Sequence, residues 1–284
     1  MTLTLRSDRE IERMRRPGLA VNYALQIARH MAAPGVTTQQ INDAVAEYYR
    51  QIDGEPLFLN YPNPSPGKPA FSGVICASVN EEVVHGVPGD RELQEGDVIS
   101  VDTGVRIDGW CGDSAVTLPI GEIAPETQRL LTVTQEVLEL AIDLMGKKQM
   151  WSEVAAEMAK HVEQANFYVV ENFVGHGIGR EMHEFPQVPN FVSNSLRKSE
   201  DFRLEPGLVL AVEPMVNVGT KRVVELADHW TQSAADSKPS AHFEHTIAIM
   251  RDGVRVMTGP PTDEERNSDS LPPYPLSLGG ISEA

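Results

Sequence analysis

Val98-Ile-Ser-Val-Asp102-Thr-Gly104-Val-Arg-Ile107-Asp108-Gly109-Trp110-Cys-Gly-Asp113-Ser-Ala-Val-Thr117 reads as two apolar runs joined by Asp-Gly. Asp-Gly between two such runs is the signal of a two-residue hairpin turn, because both central positions need positive φ. A tight hairpin closed there sets Ile107 across from Trp110 and runs the pairing back until Gly104 faces Asp113. Asp102 lies two residues from Gly104 and therefore shares its face. The two carboxylates become diagonal neighbours, with backbones roughly 7–8 Å apart, over the gap left by a glycine. Two acids converging on a gap repel unless a positive charge lies between them, and one or two metal ions are a natural occupant. The hairpin alone is equally compatible with a solvated face carrying two unrelated acids.

Outward from this hairpin the chain alternates helical and β-like stretches. Ser7 and Glu10 form a capping-box pattern ahead of Ile11, Met14 and Leu19. Pro34-Gly35 closes a helix running through 20–31, and Thr37 or Thr38 can cap the next, which carries Ile41, Val45 and Tyr48. Pro62, Pro64, Pro66 and Pro69 make 61–69 a loop. Strands are predicted over 74–79, 98–107, 110–118, 208–213 and 243–250, and helices over about 125–145 and 152–165. A glycine-rich loop is expected around Gly175, Gly177 and Gly179, and a polar stretch at 193–203. Antiparallel hairpins mixed with helices, without strict βαβ alternation, place the chain in the α+β class. No period of solenoid length is present. The organisation expected is one domain over 1–258, then a Pro-rich tail over 259–284, extended or disordered.

Composition narrows the functional classes. The 284 residues carry 24 Lys and Arg against 41 Asp and Glu, a net charge of −17, which disfavours nucleic acid as a partner. No stretch is long and apolar enough for a membrane span. Arg6, Asp8, Arg9 and Glu10 leave no room for a secretory apolar region near Met1, and two cysteines, Cys76 and Cys111, make no disulfide framework. The expectation is a cytoplasmic protein.

Further acids and imidazoles stand in telling positions. His176 and His183 lie seven residues apart in the glycine-framed segment. Glu213 ends an apolar run, where a carboxylate is costly unless paired or bound to a cation. By strand alternation His242, Glu244 and Thr246 share a face. Few basic residues lie near these glutamates in sequence to pair them. His85 sits at a strand-to-loop junction ahead of Gly86 and Pro88. His30 and His161 read as structural or solvent residues, and His229, His242 and His245 as structural or supporting ones, with His242 the best supporting candidate.

Together these pieces resemble the type I methionine aminopeptidases of the pita-bread metallopeptidase family, in the bacterial form without an N-terminal extension. The resemblance spans roughly 5–258. It rests on five ordered motifs: Val-Asn-Glu-Glu-Val-Val-His-Gly-Val-Pro at 79–88, Val-Asp-Thr-Gly with Gly-Asp-Ser-Ala after it, Gly-His-Gly-Ile-Gly-Arg, Val-Glu-Pro-Met-Val at 212–216, and Ala-His-Phe-Glu-His-Thr-Ile at 241–247. It implies a curved antiparallel sheet covered by helices with an internal pseudo-two-fold. It makes Asp102, Asp113, His176, Glu213 and Glu244 the ligands of two divalent ions, and His85 and His183 the histidines that touch substrate. Two departures, Cys111 and Met182, flank the implied site and bear on fine specificity.

Four carboxylates and one imidazole are mostly hard ligands, suited to Mn, Fe(II), Co or Zn without selecting one. Two metals sharing a water would give a hydroxide nucleophile near neutral pH. By resemblance Glu213 is the acid/base, His183 stabilises the oxyanion and His85 addresses the scissile amide nitrogen. Phe71, Cys76, Phe173 and Trp230 are candidate walls of a methionine pocket, with Met182 at its rim; each is equally readable as core. The implied substrates are N-terminal Met peptides and nascent polypeptides, met at the ribosome, with a small second residue. The rival readings are an Xaa-Pro aminopeptidase or dipeptidase, and a non-catalytic binding protein on the same scaffold.

Overall fold

A computed structural model describes residues 3–266. The first helix, Asp8–Met31, begins where Glu10 reaches back to the backbone N–H and hydroxyl of Ser7. It runs on without a break through Pro17, so the two predicted helical stretches are one element. Thr37 caps the second helix, Thr38–Gln51, by accepting from the Gln40 N–H. Both helices bury their apolar stripes on a sheet in which Val98–Ile107 pairs with Glu55–Pro56, Ile75–Val79 and Trp110–Pro119. Two more helices, Pro125–Met145 and Trp151–Gln164, cover a five-stranded sheet. Its strand order is Gly253–Val256, His245–Met250, Val209–Val212, Gly175–Gly177, Glu184–Val188. Each half therefore sets a helix pair over antiparallel strands, and each owns a separate core cluster.

The halves are stitched along one seam. Thr117 Oγ1 accepts from the His242 N–H and donates to the His242 carbonyl. The Glu244 N–H donates to the Ala115 carbonyl at 2.9 Å. Thr246 Oγ1 donates to the Asp113 carbonyl and accepts from the Asp113 N–H. These bonds lay the acid of one half beside the acid of the other.

Three expectations change. The segment around Gly175 and Gly177 is a strand, not a loop. A Cβ at Gly175 would overlap the Ala211 carbonyl and one at Gly177 the Phe185 carbonyl, so the glycines answer to close neighbouring backbone. His242, Glu244 and Thr246 do not lie on one continuous strand, because the chain leaves Ser240–His242 and re-enters a different sheet at His245–Met250, with Glu244 in the break. Residues 259–266 are not an extended tail: Arg15 holds the carbonyls of Gly259 and Pro260, and Asp263–Arg266 is helical. The remainder of that segment, 267–284, lies outside the described residues. No helix among the described residues is long and apolar enough to cross a membrane.

Candidate metal centre and adjoining cavity

The hairpin forms as its turn residues dictate. Asp108 and Gly109 take φ of 53° and 73°, and the register pairs Ile107 with Trp110 and Gly104 with Asp113. Asp102 pairs with Ala115, so the two aspartates are diagonal across the empty Gly104 position. His176 lies on the short strand beside Ala211. Glu213 follows the end of Val209–Val212, where the Asn190 amide donates to its carbonyl at 3.0 Å. Glu244 enters from the strand break.

These five side chains line one cavity of about 320 Å³. Asp113, His176 and Glu244 each present a ligand atom within 4.8 Å of the others. His176 Nε2 lies 3.7 Å from Glu213 Oε1, and His242 Nε2 lies 3.7 Å from Glu213 Oε2, both beyond hydrogen-bond range.

Electrostatics set this cluster apart. Burial, followed by the charges of Asp113 and Glu213, holds Asp102 well above the ordinary carboxylate range. Burial pushes Asp113 up to about 7. Glu213 is raised by burial and then by Asp113, and Glu244 by burial and then by Asp113, Glu213 and Asp102. No arginine or lysine lines the cavity. Among the described residues, the buried carboxylate oxygens without a hydrogen-bond partner are those of Asp102, Asp113 and Glu244. Unpaired buried acceptors are costly, and a bound cation supplies what they lack.

The imidazole completes a fitting donor set. His176 Nδ1 is 3.0 Å from the Gly177 carbonyl, which can only accept. The ring proton therefore sits on Nδ1, and the Nε2 lone pair is free to ligate. Burial, then the neighbouring His183, holds His176 down to about 3, so it stays neutral.

The remaining sequence candidates converge on the same cavity. His85, held by burial down to about 4, meets the rings of Phe173 and Trp230 edge-on at 5.3 and 6.4 Å. It has φ of 60°, a sparsely populated conformation for a residue with a side chain. His183 packs its ring 4.4 Å from His176 and meets the Tyr61 hydroxyl through Nδ1 at 3.0 Å. Phe71, Cys76, Met182 and Trp230 form one apolar group with Phe58, and Phe173 lines the cavity beside them. Cys111 points elsewhere, donating to the Arg180 carbonyl and lining no part of the cavity, so of the two departures only Met182 borders it. Sequence reasoning did not find Phe58 or Tyr61; both sit at the entry to the Pro-rich loop, where no periodicity marks an inward face.

Comparison with known proteins identifies the family of the chain. Residues 12–251 match metallopeptidase family M24. Methionine aminopeptidase 1 of Bacillus subtilis is 38% identical over 253 residues, covering 89% of this chain and 98% of the relative. Methionine aminopeptidase A of Synechocystis is 40% identical over 261 residues, 90% of this chain and 98% of its own. The crystal structure of a methionine aminopeptidase from Thermotoga maritima superposes with a TM-score of 0.84 at 38% identity, covering 90% of this chain and 99% of that one. A prolidase from Pyrococcus furiosus, at 16% identity and a TM-score of 0.68, shares the fold alone.

Proposed function

The chain belongs to metallopeptidase family M24, and on that premise we propose how its own residues perform the reaction. It is a metal-dependent aminopeptidase of the pita-bread fold that removes methionine from the N-terminus of polypeptides. The observation that carries the reading is the group of buried, unpaired carboxylates around a neutral imidazole, opening onto an apolar cavity.

Asp102, Asp113, His176, Glu213 and Glu244 would hold two divalent cations, whose charge four carboxylates balance. Their hardness suits Mn, Fe(II), Co or Zn. When bound, the metal supplies Lewis-acid polarisation and makes water more acidic.

Glu213 takes the proton of the attacking water and returns it to the leaving amine as the C–N bond breaks. His183 donates from Nε2 to the oxygen that gains charge at the scissile carbonyl. That role needs the proton on Nε2, with Nδ1 accepting from the Tyr61 hydroxyl 3.0 Å away. His85, neutral and held between aromatic edges, addresses the scissile amide nitrogen. The methionine side chain occupies the space between Phe71, Cys76, Phe173 and Trp230, with Met182 at its border. Second residues that are small, on nascent chains near the ribosome, fit this reading, as does a reducing cytoplasm for two free thiols.

The test is Glu213→Gln with bound metal and turnover of Met-Ala-Ser measured on the same sample. Turnover is expected to fall by roughly 10²–10⁴. Turnover at the wild-type rate removes Glu213 from the role. Preference of the wild-type protein for Ala-Pro-Ala over Met-Ala-Ser would overturn the substrate assignment.

A further inference from the structure

His183 stands in an irregular turn over 179–183, just before the strand Glu184–Val188. A donor to a developing charge must be held to a fraction of an ångström, yet this turn has few backbone bonds of its own. The Gly179 N–H donates to the Glu181 carbonyl at 3.1 Å, and the Gly179 carbonyl accepts from Cys111 at 2.8 Å. Side chains add to this: Cys111 Sγ donates to the Arg180 carbonyl at 3.4 Å, Arg180 donates to the Gly109 carbonyl at 3.1 Å, Arg106 pairs with Glu181 at 3.1 Å, and the Tyr61 hydroxyl meets His183 Nδ1 at 3.0 Å. The N–H groups at the centre of the turn are satisfied by Glu184. Its Oε1 accepts from the N–H groups of Arg180 at 2.8 Å and Glu181 at 3.2 Å. Its Oε2 pairs with the guanidinium of Arg6.

Arg6 comes from the far end of the sequence, in the segment ahead of the first helix. Its backbone N–H is anchored on the Gly207 carbonyl at 2.8 Å. Its side chain is 7% exposed, although it carries a full charge. The guanidinium lies 5.1 Å from the centre of the Trp110 ring, whose other cationic neighbour, Arg180, lies at 3.8 Å. It passes so close to Gly179 that a Cβ there would overlap it. Neither Arg6 nor Glu184 lines the cavity. A buried ion pair is a poor device for stability, since desolvation offsets its attraction. It is a good device for fixing one arrangement of a turn.

We propose that Arg6 is a positioning residue for the reaction. Through Glu184 it holds the turn that presents His183 to the cavity. This rests on the reading of His183 as the donor to the developing oxyanion. The guanidinium meets both demands of the place, a planar face for Trp110 and an in-plane donor for Glu184. Lysine supplies the charge alone.

The metal-loaded full chain, with Arg6→Met, Arg6→Lys and Glu184→Gln, is assayed on Met-Ala-Ser beside His183→Ala. Bound metal and thermal midpoint are measured on each sample. Arg6→Met and Glu184→Gln are expected to keep their metal and lose about tenfold or more in kcat, because small misplacements of a catalytic group cost up to ~10². KM is expected to change by less than about threefold, the signature of an interaction made only in the transition state. Arg6→Lys is expected to recover part of the loss. A lower thermal midpoint with wild-type kcat per bound metal would overturn the proposal and leave Arg6 merely structural. Should Arg6→Met fail to fold, Glu184→Gln reads the same link. Wild-type kcat in His183→Ala would overturn the role of His183 itself. Impaired His183→Ala beside normal Arg6→Met or, where that does not fold, normal Glu184→Gln would overturn this inference alone.

Discussion

Gly104 faces Asp113 directly across the hairpin, and a Cβ on Gly104 would lie 3.1 Å from Asp113 Oδ1. The same Cβ would come within 3.1 and 3.2 Å of Leu57 and Phe58. The carboxylate thus fills the volume that glycine leaves, which fixes its orientation without a hydrogen bond to Oδ1. Gly104→Ala is expected to rotate the Asp113 carboxylate and weaken metal binding by about 10–100-fold, as loss of a group that orients a ligand does. Titration calorimetry with Mn or Co would measure this, and unchanged affinity would show that the carboxylate has another rotamer open to it.

Removing the metal altogether exposes the repulsion among Asp102, Asp113, Glu213 and Glu244, which have no arginine or lysine in their cavity. Exhaustive chelation is expected to lower the thermal midpoint, and return of the metal to restore it. At free metal one hundred times the dissociation constant the difference is about 2.7 kcal/mol for each ion bound. A midpoint indifferent to chelation would mean that the acids are accommodated by protonation instead.

How far these features could be read without coordinates differs by element. The hairpin was legible to the residue because Asp108-Gly109 is a local signal and strand alternation propagates it to Asp102 and Asp113. The strand at Gly175–Gly177 was not, because its glycines answer to the carbonyls of Ala211 and Phe185, which are remote in sequence. Glu244 lines the same cavity as Asp102 and Asp113 for a different reason than alternation gives: the seam bonds at Thr117 and Ala115 place it in the break between two strands. Tyr61 gave no signal, since its partner His183 lies 122 positions away and its loop has no period. The grip of Arg15 on residues 259–266 was hidden in the same way, for a proline-rich composition reads as solvent-exposed chain whatever holds it.

The Pro-rich loop is clasped to the opposite wall of the cavity. The Asn63 amide donates to the His229 carbonyl at 2.8 Å, Lys68 Nζ meets His229 Nε2 at 3.0 Å, and Trp230 Nε1 donates to the Pro69 carbonyl at 2.9 Å. Trp230 stands edge-on to Phe71, 5.2 Å between ring centres. The double change Asn63→Ala, Lys68→Met is expected to loosen Trp230 and widen the space for the first side chain. The ratio of kcat/KM for Met-Ala-Ser over Leu-Ala-Ser should fall about tenfold, within the range that one methylene of fit is worth. Because such exposed bonds contribute about 1 kcal/mol or less, the thermal midpoint should barely move. An unchanged ratio would show that packing and the bond to Pro69 hold Trp230 without the Asn63 and Lys68 clasps.

Arg15 ties residues 259–266 to the first helix, and the pair it makes with Glu265 carries a pH signature. Both Glu265 oxygens accept from Arg15 at 2.8 Å, while the other guanidinium protons go to the carbonyls of Met257, Gly259 and Pro260. Arg15 is buried, so Arg15→Met leaves three carbonyls without their donor and Glu265 with only the more distant Arg255, at 3.3 Å, as counter-charge. Breaking such a pair from one side costs about 3–5 kcal/mol, and denaturant unfolding should show a loss of that order. Hydrogen bonds from Arg15 hold the Glu265 carboxyl down to about 2, against an ordinary 4.5. Over that interval the unfolded chain binds the proton that the folded chain refuses, so stability rises with pH. The contribution is complete above about pH 4.5 and lost as pH falls toward 2. The stability difference between wild type and Glu265→Gln should therefore be largest near pH 7 and shrink through that window. A difference that stays constant from pH 7 to pH 3 would show that Glu265 contributes through packing, with its charge of no consequence to the fold.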